Sequence, residues 1–145
     1  MAQKSYYVDT CIWLNLFKKE GDPTKGIPYW RIAEYFIENI IATKNEIVYS
    51  DQILKELKYK LANEDQFKAR KSYLKEEFIF VKTTAEDYAI ARKLESNSHF
   101  EISFYDCIHI AICLRLGHIL ITRDSALIKF ANEYIKVKKP EEVFS

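Results

Sequence analysis

Of the four acids Asp9, Glu56, Asp106 and Asp124, three are placed where apolar segments and helices meet. Tyr6-Tyr7-Val8 stops at Asp9, and Ile119-Leu120-Ile121-Thr122-Arg123 stops at Asp124. Ser103-Phe104-Tyr105-Asp106 opens a long apolar run. Glu56 lies on the helix expected after Ile47-Val48-Tyr49-Ser50. In parallel α/β sheets, ligands bind beyond the carboxyl ends of the strands. Two like charges ~4 Å apart repel by about 4 kcal/mol at an effective dielectric of 20. Acids gathered on that edge therefore call for positive charge, and a hard divalent cation takes oxygen ligands. Without one, the acids are expected to raise one another's pKa values.

Each acid also has a purely structural reading. Asp9 and Asp124 can cap the helices that follow them. Ser103 and Asp106 fit a capping box, with Asp106 bonding back to the Ser103 amide. Glu56 can pair with Lys60 one turn later. Capping alone does not require acids at two strand ends and at the start of the most apolar helix, since Ser, Thr or Asn would serve. Glu56 flanks the apolar stripe Ile53-Leu54-Leu57-Leu61. Helical side chains lean toward the N-terminus, so it can reach back to the sheet edge.

Other chemistries fit less well. His99, His109 and His118 have no zinc spacing, and there is no G-x-S-x-G elbow or glycine-rich phosphate loop. His109 reads as a hydrogen-bonded core residue. Cys11, Cys107 and Cys113 have no C-x-x-C spacing and read as small buried hydrophobes. A thiol ligand beside Asp9 or Asp106 would suit zinc better than magnesium.

The elements that must position the acids alternate. Strands are expected at Ser5–Val8, Glu46–Tyr49, Phe78–Val81, Ile119–Thr122 and Tyr134–Val137. Helices are expected over 10–18, 29–42, 51–62, 65–76, 84–96, 106–116 and 125–131, with Gly117 ending the sixth. Short apolar strands between helices imply a parallel sheet covered on both faces. Right-handed crossovers then gather the carboxyl ends of the strands on one edge.

Val8-Asp9-Thr10, Ser50 to Leu57, Asp106 to Ala111 and Leu120 to Asp124 together resemble the PIN domain, in order and spacing, over nearly the whole chain. The resemblance implies one nuclease domain over 1–145. Its fold would be a three-layer α/β/α sandwich on a parallel sheet of four to five strands. Similar small proteins are the VapC-type toxins of prokaryotic toxin–antitoxin pairs, which cut RNA and are inhibited by a partner antitoxin. Carried onto this chain, Asp9, Glu56, Asp106 and Asp124 match the acidic metal site for Mg²⁺ or Mn²⁺. Asp9 and Asp106 match direct ligands, with Glu56 and Asp124 acting through water or on a second ion. Thr10 and Thr122 match the supporting polar positions. Cys11 stands where the family often has Asn. The implied function is a metal-dependent endoribonuclease with RNA as substrate, an antitoxin as partner and a homodimer as the assembly. A non-catalytic module of the same fold, binding nucleic acid or protein, is the alternative. A phosphatase of the haloacid dehalogenase type is disfavoured, because Asp9-Thr10-Cys11 lacks the D-x-D opening.

The bulk properties agree with such a domain. The chain has 145 residues, 48% hydrophobic and 30% charged, with 3 Gly and 3 Pro, so one full core of mostly regular structure is expected. A net charge of +1 leaves nucleic-acid binding to local basic residues. Lys55 and Arg123, beside Glu56 and Asp124, are the candidate RNA contacts. Lys58, Lys60, Lys68, Arg70, Lys71 and Lys75 read mainly as solvated helix faces. No apolar stretch nears the ~20 residues of a membrane span. Residues 1–6 lack the features of a signal peptide. The expected location is the cytoplasm.

Overall fold

The computed structural model describes residues 3–144. Its strands are β1 (Ser5–Val8), β2 (Glu46–Ser50), β3 (Ile79–Val81), β4 (Ile119–Ile121) and β5 (Val137–Lys138). Its helices are α1 (Thr10–Phe17), α2 (Tyr29–Ala42), α3 (Asp51–Lys60), α4 (Glu64–Glu77), α5 (Ala85–Asn97), α6 (Phe104–Leu116) and α7 (Ser125–Ala131). All strands are parallel, in the order β3-β2-β1-β4-β5. The chain builds outward from β1 through β2 to β3, then returns to lay β4 and β5 on the other side. This reversal is the topological switch point of an open α/β sheet.

Period-two alternation makes β1 a two-sided strand. Tyr6 meets the Phe36 ring of α2 at 5.8 Å, and Tyr7 meets the His109 ring of α6 at 5.3 Å. Helices therefore cover both faces, giving the three-layer α/β/α sandwich. Helix α6 is buried continuously from Cys107 to Cys113, which fits its lack of a polar face. Gly117 ends it at φ 71°, a left-handed conformation glycine adopts without a Cβ clash. Among the described residues, no helix is long and apolar enough to cross a membrane.

Local signals set most boundaries. The Ser50 hydroxyl caps α3 by accepting from the Ile53 amide at 3.3 Å. Thr84 and Asp87 form the expected capping box on α5. The last strand differs from expectation. The Tyr134 and Ile135 amides bond back to the Ala131 carbonyl, so these residues extend the turn after α7. Val137 and Lys138 are what pair with β4.

Candidate active site

The switch point assembles the site. Val8 and Ile121 are register partners, and the Asp9 amide continues the ladder by bonding to the Ile121 carbonyl at 2.9 Å. Asp9 and Thr122, the next residues on the two strands, therefore come side by side. The Thr122 hydroxyl donates to Asp9 Oδ2 at 2.8 Å. The Thr10 amide donates to Asp9 Oδ1 at 2.8 Å, which also caps α1. Asp9 is buried, 5% exposed, with its carboxylate fixed from both sides.

Glu56 reaches the same place from α3. Its Oε1 accepts from the Thr10 hydroxyl at 2.7 Å, and its Oε2 from the Gln52 amide at 2.9 Å. His109 Nε2 lies 2.9 Å from Oε2 and 3.2 Å from Oε1. Glu56 thus faces the sheet edge rather than Lys60, correcting the surface-pair reading. Burial pushes its pKa up, but His109, Gln52 and Thr10 together hold it below the ordinary value. Mutual elevation of the acids is therefore reversed at Glu56.

Asp106 is elevated, by burial first and by its acidic neighbours second. Burial and the Asp9 charge push it up to about 6, with His109 opposing and Glu56 and Asp124 adding. Ser103 caps α6 by accepting from the Asp106 amide at 3.1 Å. No reciprocal bond from the Asp106 carboxylate forms a capping box there. Asp124 is exposed, and its Oδ1 caps α7 through the Ala126 and Leu127 amides at 3.0 and 3.2 Å. It also lies within electrostatic reach of Asp106. Capping and clustering coexist at Asp9, whereas Asp106 and Asp124 lie outside the group formed by Asp9, Glu56 and His109.

His109 is the site residue that sequence reasoning left in the core. It is fully buried, with Nδ1 2.6 Å from the Tyr7 hydroxyl, which lies 2.7 Å from Ser50 Oγ. Burial lowers its pKa, yet Glu56, Asp9 and Asp106 raise it to about 9. The signal was its spacing: His109 follows Asp106 by three residues, so both share one face of α6.

The sulfur reading is resolved by the same geometry. The Cys11 thiol is 3.4 Å from Asp9 Oδ2 and 3.5 Å from Thr122 Oγ1. Burial and Asp9 push its pKa far up, and burial pushes Cys107 up to about 12. Without a metal both are thiols, and Cys11 is placed as a weak donor to Asp9.

The two basic candidates part company. Lys55 is exposed and lines a groove with Glu56. The Arg123 guanidinium is held by both oxygens of Glu141 at 2.8 and 2.9 Å, and it stacks 4.2 Å from the Tyr29 ring centre. Its side chain is 14% exposed. Arg123 ties the C-terminal turn to α2 instead of presenting a free cation.

Carboxylate oxygens of Asp9 and Glu56 and a ring nitrogen of His109 lie within 4.8 Å of one another. The oxygen donors suit a hard cation. Asp106, elevated by burial and by its acidic neighbours, is a group that an added positive charge would relieve.

The model of the PIN domain family matches residues 6–133, and this chain belongs to that family. Its fold is shared with solved structures from toxin–antitoxin systems. The VapBC2 complex of Rickettsia felis, bound to a DNA fragment from its promoter, is 17% identical with a TM-score of 0.68. The match covers 93% of this chain and 98% of that one. VapBC-1 of nontypeable Haemophilus influenzae is 16% identical, with a TM-score of 0.69 and coverages of 94% and 98%. VapC20 of Mycobacterium tuberculosis, a toxin that cleaves the sarcin-ricin loop, is 20% identical, with a TM-score of 0.64 and coverages of 92% and 98%. No curated protein matches the sequence significantly.

Proposed function

We propose that this protein is a divalent-metal-dependent endoribonuclease of the VapC type, acting in the cytoplasm and held in check by an antitoxin. The observation that carries the reading is the meeting of Asp9, Glu56 and His109 at the switch point of a PIN-domain sheet, with Asp106 close enough to feel the charges of Asp9, Glu56 and Asp124. A solved toxin–antitoxin complex has a similar fold, and a similar toxin cleaves the sarcin-ricin loop. A homodimer is part of the same reading.

Asp9 and Asp106 would hold Mg²⁺ or Mn²⁺ directly, with Glu56 and Asp124 contributing through water. Such an ion supplies an activated water and relief of charge on the phosphate oxygens. Thr122 and the Thr10 amide hold Asp9 in one orientation. The Thr10 hydroxyl, Gln52 and His109 do the same for Glu56. Orientation fixed in advance removes reorganisation from the reacting state. The imidazolium of His109 lowers the net negative charge of the pocket, which eases approach of a phosphodiester.

The test is cleavage of RNA by the purified protein with Mg²⁺ or Mn²⁺, with EDTA and Asp106→Asn as controls. Cleavage that needs the metal and Asp106 supports the reading. RNA binding without turnover in any metal would instead favour a binding module.

A further inference from the structure

We infer that the groove between α3 and α6 is a stacking site for unpaired RNA bases, feeding the strand toward Glu56; this rests on the nuclease reading above. The groove is ≈ 560 Å³, within the range of about 300–1,000 Å³ that holds whole ligands. Half of its lining residues are aromatic: Tyr59 from α3, and Tyr88, Phe104 and Tyr105 from α5 and α6. Gln52, Lys55, Glu56 and Ile108 complete it. Glu56 is thus shared between the groove and the acid cluster.

Helical spacing explains the arrangement. Tyr59 follows Glu56 by three residues, so both project from one face of α3. Tyr105 immediately precedes Asp106 on α6. The α6 wall is a continuous ring array. Tyr88 stacks on Phe104 at 6.2 Å and 24°, and Phe104 meets Tyr105 at 5.8 Å. Two rings are left open to solvent, Tyr59 at 83% and Tyr105 at 59% exposure. Neither is needed for the core.

The charges choose the occupant. Lys55 lines the groove, and Lys60 lies 5.8 Å from the Tyr59 ring centre. Aromatic faces for bases, bordered by cations for phosphates, form the pattern that binds single strands without sequence readout. Duplex RNA keeps its bases stacked and hides them from such a groove.

The test uses the full chain carrying Asp106→Asn, so that binding is read without cleavage. The probe is a single-stranded RNA containing 2-aminopurine, whose fluorescence is quenched when it stacks. Tyr59→Ala and Tyr105→Ala should each weaken binding about 5- to 140-fold, from about 1–3 kcal/mol per stacked base, and should lose the quench. Tyr59→Phe and Tyr105→Phe should keep both. Tyr35→Ala, at a ring 60% exposed outside the groove, is the control. A duplex probe should show no dependence on either tyrosine. Alanine variants that bind and quench like their parent overturn the inference, including the case in which they lose only an antitoxin. If the parent enzyme still cuts RNA in that event, the nuclease reading survives alone. If the parent neither binds nor cuts RNA, both fall.

Discussion

His109 Nε2 lies 2.9 Å from Glu56 Oε2 and 3.7 Å from Asp9 Oδ1, so a fully buried imidazole is the counter-ion of the acid cluster. A charged ring in that position would be expensive without partners. Here the carboxylates stabilise it more than burial opposes it, and its pKa rises to about 9. The ring is anchored from behind by Tyr7 and Ser50.

That elevation makes stability pH-dependent. Because the folded pKa exceeds the unfolded value near 6.5, the contribution of His109 is fully present below about pH 6.5. It is lost as pH rises through about 9. The expected loss is on the order of a few kcal/mol. Urea midpoints of metal-free protein between pH 6 and 10 should fall. His109→Gln, which keeps a hydrogen-bond donor but no titrating charge, should flatten that slope. An unchanged slope would mean that His109 is neutral throughout.

Asp106 has the opposite preference for its own charge but the same direction with pH. Its folded pKa of about 6 exceeds the ordinary value of about 3.9. Ionising it weakens the metal-free fold as pH rises from about 4 to about 6, by up to roughly 3 kcal/mol before solvent screening. Asp106→Asn should therefore be more stable than the parent above pH 6. RNA cleavage should fall about 10²-fold or more. The same pair of measurements on Glu64→Gln, at an exposed helix-start residue, should show neither effect. A variant that is destabilised and still cuts would reduce Asp106 to a helix-start residue.

Metal binding should stabilise the fold by linkage. At a hundredfold excess over the Kd, Mn²⁺ adds about 2.7 kcal/mol. Thermal melts with and without millimolar Mn²⁺ should show an upward shift that EDTA reverses. Asp9→Asn should abolish most of it, because Asp9 is the buried carboxylate that Thr122 and Thr10 orient. Equal melts in all conditions would deny the site a cation.

The helix that carries Asp106 and His109 is fastened to α5 by a bidentate ion pair. Arg115 donates to both oxygens of Asp87 at 2.8 and 2.9 Å, and the Asp87 side chain is fully buried. Burial pushes the Asp87 pKa up, but Arg115 and Thr84 more than reverse this. Its contribution is present above the ordinary Asp range and lost as pH falls through the lowered value. Arg115→Ala strands the carboxylate and should destabilise by about 3 kcal/mol, the low end for a buried pair, because Arg115 is itself 26% exposed. Chemical denaturation at pH 7 checks this. A loss under about 1 kcal/mol would show that water replaces the guanidinium.

The sequence by itself determined the elements and the residues that could do chemistry. Period-two runs, the Thr84–Asp87 capping box and Gly117 are local, set by burial and backbone sterics within a few residues. For that reason the helices and the first four strands were legible to within a few positions. Asp9 and Glu56, which the fold brings together, were visible as an acid at a strand end and an acid flanking an apolar helix stripe. The last strand was misplaced because the bonds from Tyr134 and Ile135 to Ala131 compete with pairing in a segment apolar enough for either.

Tertiary structure decided what meets what. Laying β4 beside β1, instead of outside β3, brings Thr122 to Asp9 across 113 positions. The same packing brings Tyr7 to His109 across 102 positions. No local periodicity encodes such pairings. His109 could be recognised on its helix but not given a role, since its charge depends on carboxylates from β1, α3 and its own helix converging on it. Arg123 looked available because it adjoins Asp124, and only the fold showed Glu141 and Tyr29 already occupying it. Side-chain type is written in the chain, whereas protonation and partnership follow from the electrostatic surroundings that distant segments supply.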